Sequence, residues 1–408
     1  MSKPVVGILT LYLNDRKALE ERPIYEKMIT AGARMGMKIF VYTPEDVAED
    51  DQRIRALIYK PAAKRWTKRW VRPPEIIYDR CRYQKSRRFE QLLAYRKRNS
   101  HLTFLNRPLR NKWTVHRTLA DVSALRSHLP ETRLFQSPDD VKSLLKKFVT
   151  VYLKPINGTG GRGILRIDRQ KDGTLLLQGR NHSRSIVQPR RISRSSLAIV
   201  LGAWDMHGDH YIVQQGLNIK LPNGRIHDYR MLVQKNGSGE WEVTGCAGRV
   251  GPLRSVTSNL HGGGAAVPMN NLLRQWIESE ETINEIRTKA ESFGVKVARH
   301  LESSYGALCE LALDLAIDRK GRIWLIEVNP KPAREVFIRA GESEVYQKAI
   351  LRPIEYALWV HRQQTSKAHS LQVSDDTPDN SGDPGNLTEP QEASPDGSQH
   401  TNLLGASE

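Results

Sequence analysis

The sequence predicts an α/β first unit followed by an α+β unit, and three observations carry that prediction. Over about the first hundred residues strand signals alternate with helical ones, the pattern of an open α/β sheet. From Val149 onward short strands follow one another through Gly, Asn and Asp turns. After about Gln364 the chain is Ser, Asp, Pro, Gly and Asn with almost no apolar residues, and it is expected to be disordered and acidic.

Each element follows from its own stretch. "PVVGILTLYL" reads as a strand, and "ERPIYEKMITAGARMGM" carries apolar residues at helical spacing. "KIFVYTPEDV", "PEIIYDRC" and "HLTFLNRP" return to strand, and "NKWTVHRTLADV" is a helix. "LPETRLF" is extended and enters the second unit. There "VTVYLKP", "GILRIDR", "GTLLLQG", "HYIVQQGLNI", "HDYRMLVQKN" and "EWEVTGCAGRV" are strands. A helix rich in charge is expected over Asn270–Tyr305, with a break at Gly294. "GALCELALDLAID" and "RIWLIEVNP" are two facing strands, and "VFIRAGESEVYQKAILRPIEYALWVHRQ" is helical. The domains are therefore placed at 1–108, 109–364 and 365–408. The middle one divides into lobes over about 130–217 and about 218–364.

Composition bounds the function. The chain has 408 residues, enough for two or three domains, and 39% of them are hydrophobic. Three scattered cysteines, Cys81, Cys246 and Cys309, have neither disulfide-framework nor metal-type spacing and fit a reducing cytoplasm. No apolar run is long enough to span a membrane, and the N-terminal apolar stretch lacks a cleavage site. The formal net charge is +18, although the stretch from Thr365 to the end holds one Lys against eight Asp and Glu. Many of the cations lie between Arg53 and Arg126, with Trp66 and Trp70 among them. No nucleic-acid motif accompanies them, so a solvated basic face is preferred to a nucleic-acid partner.

Two stretches carry chemistry. "VYLKPINGTGGRGILRI" places Lys154 and then Gly158, Gly160, Gly161 and Gly163 between two strand signals. A dinucleotide fingerprint or a P-loop opens a helix, whereas this loop joins strands, as a flap over phosphates would. No H-R-D or D-F-G is present, so the flap is not a kinase's. The alternative is a mobile hairpin tip beside an incidental lysine. In "LALDLAIDRKGRIWLIEVNP" a two-residue turn pairing Arg319 with Arg322, or a four-residue loop pairing Asp318 with Ile323, sets Asp314 opposite Glu327. Glu327 and Asn329 share one strand face. Opposed carboxylates amid apolar residues are costly unless a hard cation neutralises them, and Asp, Glu and an Asn carbonyl suit Mg²⁺. The alternative is a cationic partner such as Arg249 or Lys331. Asp228 and Arg230 share a strand face, with Arg249 on the next strand, as a surface ion pair or as arginines aimed at phosphate. "SNLHGGGAA" is a second glycine-rich turn.

In this order these motifs resemble the ATP-grasp superfamily over roughly residues 100–335. "SNLHGGGAA" and "IEVNP" look like its glutamate-ligase and glutathione-synthetase branch. The whole layout is similar to the YheC/YheD endospore coat-associated family. The resemblance implies a pre-ATP-grasp domain ahead of an ATP-grasp domain of two lobes. It implies ATP and Mg²⁺ as cofactors, with Lys112 and Lys154 on the phosphates and Gln214, Gln215, Gly216 and Leu217 along the adenine. The glycines 158, 160, 161 and 163, Asp228 and Asn259 join the nucleotide contacts. Asp314, Glu327 and Asn329 hold the metal, and Arg230 and Arg249 face the transferring phosphate and acyl group. Two positions depart from the pattern. Gln214-Gln215 stands where relatives often place Glu, and Thr257 stands where the branch has an arginine, with Arg254 close by. The activity implied is an ADP-forming carboxylate–amine or carboxylate–thiol ligase acting on a small or polymeric anionic carboxylate. The alternative is an ATP-binding component of the spore coat that does not ligate. Coat proteins are the partners and cytoplasm or spore coat the location that follow.

Overall fold

The computed structural model describes residues 3–375, apart from 85, 159, 184, 205–209, 254, 256, 257, 259, 261 and 262, with side-chain surroundings described to 367. Arg254, Thr257, Asn259 and His261 therefore lie outside the described residues, as does the part of the tail from 376 on.

The first sheet contains β1 (Val5–Leu9), β2 (Lys38–Tyr42), β3 (Ile54–Lys60), β4 (Arg65–Val71), β5 (Ile76–Asp79) and β6 (Thr103–Phe104). Its order is β4-β3-β2-β1-β5-β6. The four strands from β2 to β6 pair in parallel and are continuously apolar, as strands covered on both faces must be. Helices α1 (Arg22–Arg34) and α2 (Arg87–Arg98) lie between them in sequence. α1 buries Ile24, Tyr25, Met28 and Ile29 on one stripe, and Ser86 caps α2 by accepting from the Phe89 N–H. The antiparallel β3–β4 hairpin was not legible as strands, because its cations fill the positions that would show alternation.

Helices α3 (Lys112–Ala120) and α4 (Ser123–Arg126) lead into a second, antiparallel sheet. It contains β7 (Thr132–Leu134), β8 (Thr150–Pro155), β9 (Ile164–Arg169), β10 (Leu175–Arg180), β11 (Ile186–Ile192) and β12 (Tyr211–Gln215), in the order β11-β10-β9-β8-β12-β7. β8 alternates strictly. Val151 and Leu153 go into a core with Val141, Leu144 and Leu145 of α5 (Pro138–Lys147) and Leu197 of α6 (Leu197–Ala203). Tyr152 and Lys154 consequently point to the other face. The expected strand "HYIVQQGLNI" ends at Gln215.

The third sheet, in the order β15-β14-β13-β16-β17, is antiparallel throughout. Its strands are β13 (His227–Lys235), β14 (Trp241–Val250), β15 (Ala265–Pro268), β16 (Glu310–Ile317) and β17 (Ile323–Asn329). Between β15 and β16 run α7 (Met269–Leu273) and α8 (Glu280–Tyr305), so the helical stretch breaks at 274–279 and not at Gly294. Gly294 lies inside α8, where a Cβ would stand 2.5 Å from Met231 Sδ. The glycine permits close helix–sheet packing instead of ending the helix. One face of the sheet packs on α8 through Ile283, Ile286, Phe293 and Val297. The other supplies Leu232 and Ala247 to a core shared with α1, α9 (Glu335–Arg339) and α10 (Ser343–Asp375). α10 runs on past Gln364 to Asp375, beyond the point where composition placed the start of a disordered tail.

Candidate active site

The site is built where the open faces of the second and third sheets supply charge. On the second sheet, Lys154 donates to Gln214 Oε1 at 2.6 Å, and Gln214 Nε2 donates to Thr132 Oγ1 at 3.0 Å. Burial pushes the Lys154 ammonium down to about 8, Lys112 adds to the push, and Glu327 and Asp314 oppose it. Those influences come from the third sheet, so Lys154 already stands in the field of its carboxylates. Lys112 opens α3, whose N-cap Asn111 accepts from the Thr114 N–H at 2.9 Å. The Lys112 ammonium donates to the Gly158 carbonyl and lies 3.5 Å from Glu327 Oε1, joining the glycine loop to β17.

The loop between β8 and β9 is a strand-to-strand connection, as read from sequence. Gly160, Gly161 and Gly163 have φ of 69°, 75° and 65°, which side-chain-bearing residues rarely adopt. At Gly163 a Cβ would also meet the Tyr211 hydroxyl at 2.7 Å. After β12, Gly216 donates its N–H to the Thr150 carbonyl at 2.8 Å, and the Leu217 carbonyl accepts from Ile219 at 3.1 Å. Gln215 turns its side chain away to accept from the Glu131 N–H at 3.0 Å.

On the third sheet, strand register aligns three charged rows. Asp228 faces Arg249 on β14, Arg230 faces Asp314 on β16, and Asp314 faces Glu327 on β17. Arg230 forks onto Asp314 at 2.5 and 3.1 Å, and Arg249 forks onto Asp228 at 2.7 and 2.5 Å. Arg249 also reaches Asp314 Oδ2 at 3.1 Å. Burial alone would raise the Asp314 carboxyl, but Arg230 and then Arg249 outweigh it and hold it below the usual carboxylate range. The cationic-partner alternative therefore describes Asp314 in part, with Arg249 as one partner. Lys331 is not a partner. Its ammonium donates to the Asp79 and Asn106 carbonyls, away from the carboxylate pair.

Glu327 is left half-buried with Lys112 as its ion-pair neighbour, and Asn329 Nδ2 is buried without a hydrogen-bond partner. A buried amide with an unsatisfied end has a vacancy in its coordination, and turned about, the amide offers a carbonyl oxygen. Among the described residues no three His, Cys, Asp or Glu converge, so a cation bound here would need Asn329 as a third ligand. Two carboxylates and an amide oxygen are the donor set a hard divalent cation requires, and the residues fit one.

Some of the site was missed. The carbonyls of Pro330 and Pro332, just after Asn329, accept from Asn106 Nδ2 at 2.8 Å and Arg80 Nη2 at 2.9 Å. These clamps fix the exit of the ligand strand from the first sheet. No local pattern signals them, because the partners lie more than two hundred residues away in sequence.

A crystal structure of D-cycloserine synthetase DcsG superposes with a TM-score of 0.50 at 14% identity, covering 87% of this chain and 99% of that one. The likeness is one of fold. The family description "YheC/D like ATP-grasp" matches residues 101–360, and the chain belongs to that family. Endospore coat-associated protein YheC of Bacillus subtilis (strain 168) is 28% identical over 337 residues, 81% of this chain and 90% of that protein. Endospore coat-associated protein YheD of the same organism is 26% identical over 376 residues, 90% of this chain and 81% of that protein. No helix among the described residues is long and apolar enough to cross a membrane.

Proposed function

We propose that the protein is an ADP-forming ATP-grasp ligase that joins a carboxylate to an amine or thiol. One observation carries the reading. Lys112 and Lys154 from one side, and Asp314, Glu327 and Asn329 from the other, converge on a place where an amide and a carboxylate are incompletely satisfied. In the reaction a substrate carboxylate oxygen bonds to the γ-phosphorus of ATP as the bond to ADP breaks. The nucleophile then bonds to the acyl carbon and inorganic phosphate leaves. Lys112 and Lys154 hold phosphate oxygens, and the glycine loop covers them with backbone N–H groups. Gln214, Gln215, Gly216 and Leu217 line the adenine edge. Asp314, Glu327 and Asn329 hold Mg²⁺, which neutralises phosphate charge. Arg230 and Arg249, anchored on Asp314 and Asp228, present guanidinium edges to charge developing on the phosphoryl and acyl oxygens. No protein nucleophile is needed, because positioning and charge neutralisation supply the catalysis. The names of the relatives suggest the sporulating cell and its coat as the setting, with coat proteins as partners.

The test is ADP release in a coupled assay against a panel of carboxylates and amines. ADP is expected only when a carboxylate acceptor is present, and Glu327→Gln is expected to reduce turnover about a hundredfold or more. Full activity in Glu327→Gln would remove the metal assignment. A second reading, an ATP-binding coat component that does not ligate, is favoured by Arg230 and Arg249 both being engaged by carboxylates. It predicts a thermal shift with MgATP and no ADP from any acceptor.

A further inference from the structure

The first sheet ends in a strand whose chemistry the proposed activity does not use. From Arg53 to Arg72 the hairpin of β3 and β4 carries eight cations and no Asp or Glu. Among the described residues only Lys68 has a carboxylate within ion-pair distance, Asp46 at 4.0 Å. Arg53, Arg55, Lys64, Arg65, Arg69 and Arg72 are all exposed. Trp70 is 56% exposed, with the Arg53 guanidinium 5.4 Å from its ring centroid. β4 is the outermost strand of the sheet, so among the described residues no strand lies beside one side of its seven-residue backbone.

A charged edge strand commonly serves to prevent aggregation, and a lysine or two is enough for that. An exposed tryptophan on the same edge defeats that purpose, and so many unpaired cations exceed it. We infer that β4 is a docking edge for an extended acidic polypeptide, which adds to the sheet as a seventh, antiparallel or parallel, strand. The added strand supplies main-chain partners to the open N–H and C=O groups of Arg65–Val71. Its alternate carboxylates all fall on one face, beside Arg65 and Arg69, while Trp70 on the other face covers an aliphatic stem. Two copies of this chain would not pair through β4, because arginines would face arginines. A nucleic acid satisfies the cations but leaves the backbone edge open. The inference does not rest on ligase activity, since none of these residues belongs to the candidate active site.

The experiment uses the full chain and a fluorescein-labelled peptide of alternating Glu and Thr, read by anisotropy at about 0.15 M salt, where diffuse attraction is screened. Saturable binding is expected. Arg65→Ser combined with Arg69→Ser should weaken it about tenfold with the melting temperature unchanged, since exposed ion pairs contribute modestly each. The same peptide N-methylated at every residue keeps its charge but has no N–H left on either edge, and it should bind at least tenfold more weakly. Equal binding of the N-methylated peptide would overturn the inference, as would an unchanged affinity in the double variant. Equal competition by an oligothymidylate of the same charge would also overturn it, in favour of simple polyanion attraction.

Discussion

Two arginine–carboxylate clusters lie on the same face of the same two strands, four residues apart, and they differ in one respect. At one end of β16, Glu310 accepts from Tyr78 at 2.5 Å, Arg80 at 2.6 Å, Arg334 at 2.5 Å and Gln234 at 3.0 Å. Glu21 completes that cluster by taking Arg80 at 2.7 Å, and the side chains of Glu310, Arg80 and Arg334 are wholly buried. At the other end, Asp314 is paired just as closely, but its neighbours are not all satisfied. Glu327 is half-open, Asn329 has an orphaned amide and Lys154 has a depressed ammonium. The closed cluster holds the first sheet to the third. The open one keeps unmet hydrogen-bonding capacity that a bound ligand would fill. A buried charge network is therefore evidence of a site only where its bonding is incomplete.

Removing the central carboxylate from the closed cluster should give the largest effect. Glu310→Gln leaves Arg80 and Arg334 buried with too little counter-charge, at a cost of about 3–5 kcal/mol. Thermal unfolding should fall by roughly 6–12 °C. Burial alone would raise the Glu310 carboxyl, but Arg334 and Arg80 hold it below its ordinary value. The stability it contributes is therefore present above the ordinary glutamate range and is lost as pH falls through the folded-state value. The same substitution in the open cluster, Glu327→Gln, should move the melting temperature by less than the equivalent of about 1 kcal/mol. A large fall in Glu327→Gln, or none in Glu310→Gln, would erase the distinction between the clusters.

The two clusters were not equally legible in the sequence. The open one was read from a hairpin whose turn was set one residue off in either expected form. The ladder actually pairs Ile317 with Ile323 and Leu315 with Leu325. Gly321 donates to the Asp318 carbonyl at 2.8 Å and Asp318 to the Arg322 carbonyl at 3.1 Å, a turn one residue different from either expected form. An irregularity between Asp314 and Leu315 then restores the register, so that Asp314 meets Glu327 after all. Without that bulge Glu327 and Asn329 would face the opposite side of the sheet. Alternating apolar residues fixed which face was polar, but nothing local announced the bulge. The closed cluster was not read at all. Arg80 falls in the basic stretch expected to be a solvated face, and nothing local marks Arg334, because their partners come from elements far apart in the chain. Asn111 before Lys112 and the strand pattern after Gly163 were local signals, and both the helix start and the strand-to-strand loop followed from them.

Lys154 gives the smallest and sharpest separation between the two clusters. Its folded-state value of about 8 lies below its ordinary value, so between the two the unfolded chain binds more protons and stability rises with pH. Below about 8 both states carry the proton, and the folded state alone bears the cost of desolvating it. Lys154→Met removes that cost together with the bond to Gln214. The variant should therefore be more stable than the natural chain at pH 7, by about 1 kcal/mol, with the gap closing towards pH 10. Nucleotide affinity should run the other way. A phosphate-binding ammonium that loses its proton near pH 8 makes the natural chain's affinity for MgADP fall as pH rises through that value, measured by calorimetry. Lys154→Met should bind weakly at every pH and show no such step. A residue that merely packed the sheet would lose stability on substitution and leave the pH dependence of binding intact. A gain in stability paired with a lost pH step would place Lys154 in the open cluster, among groups whose cost of burial is offset only when an anion is present.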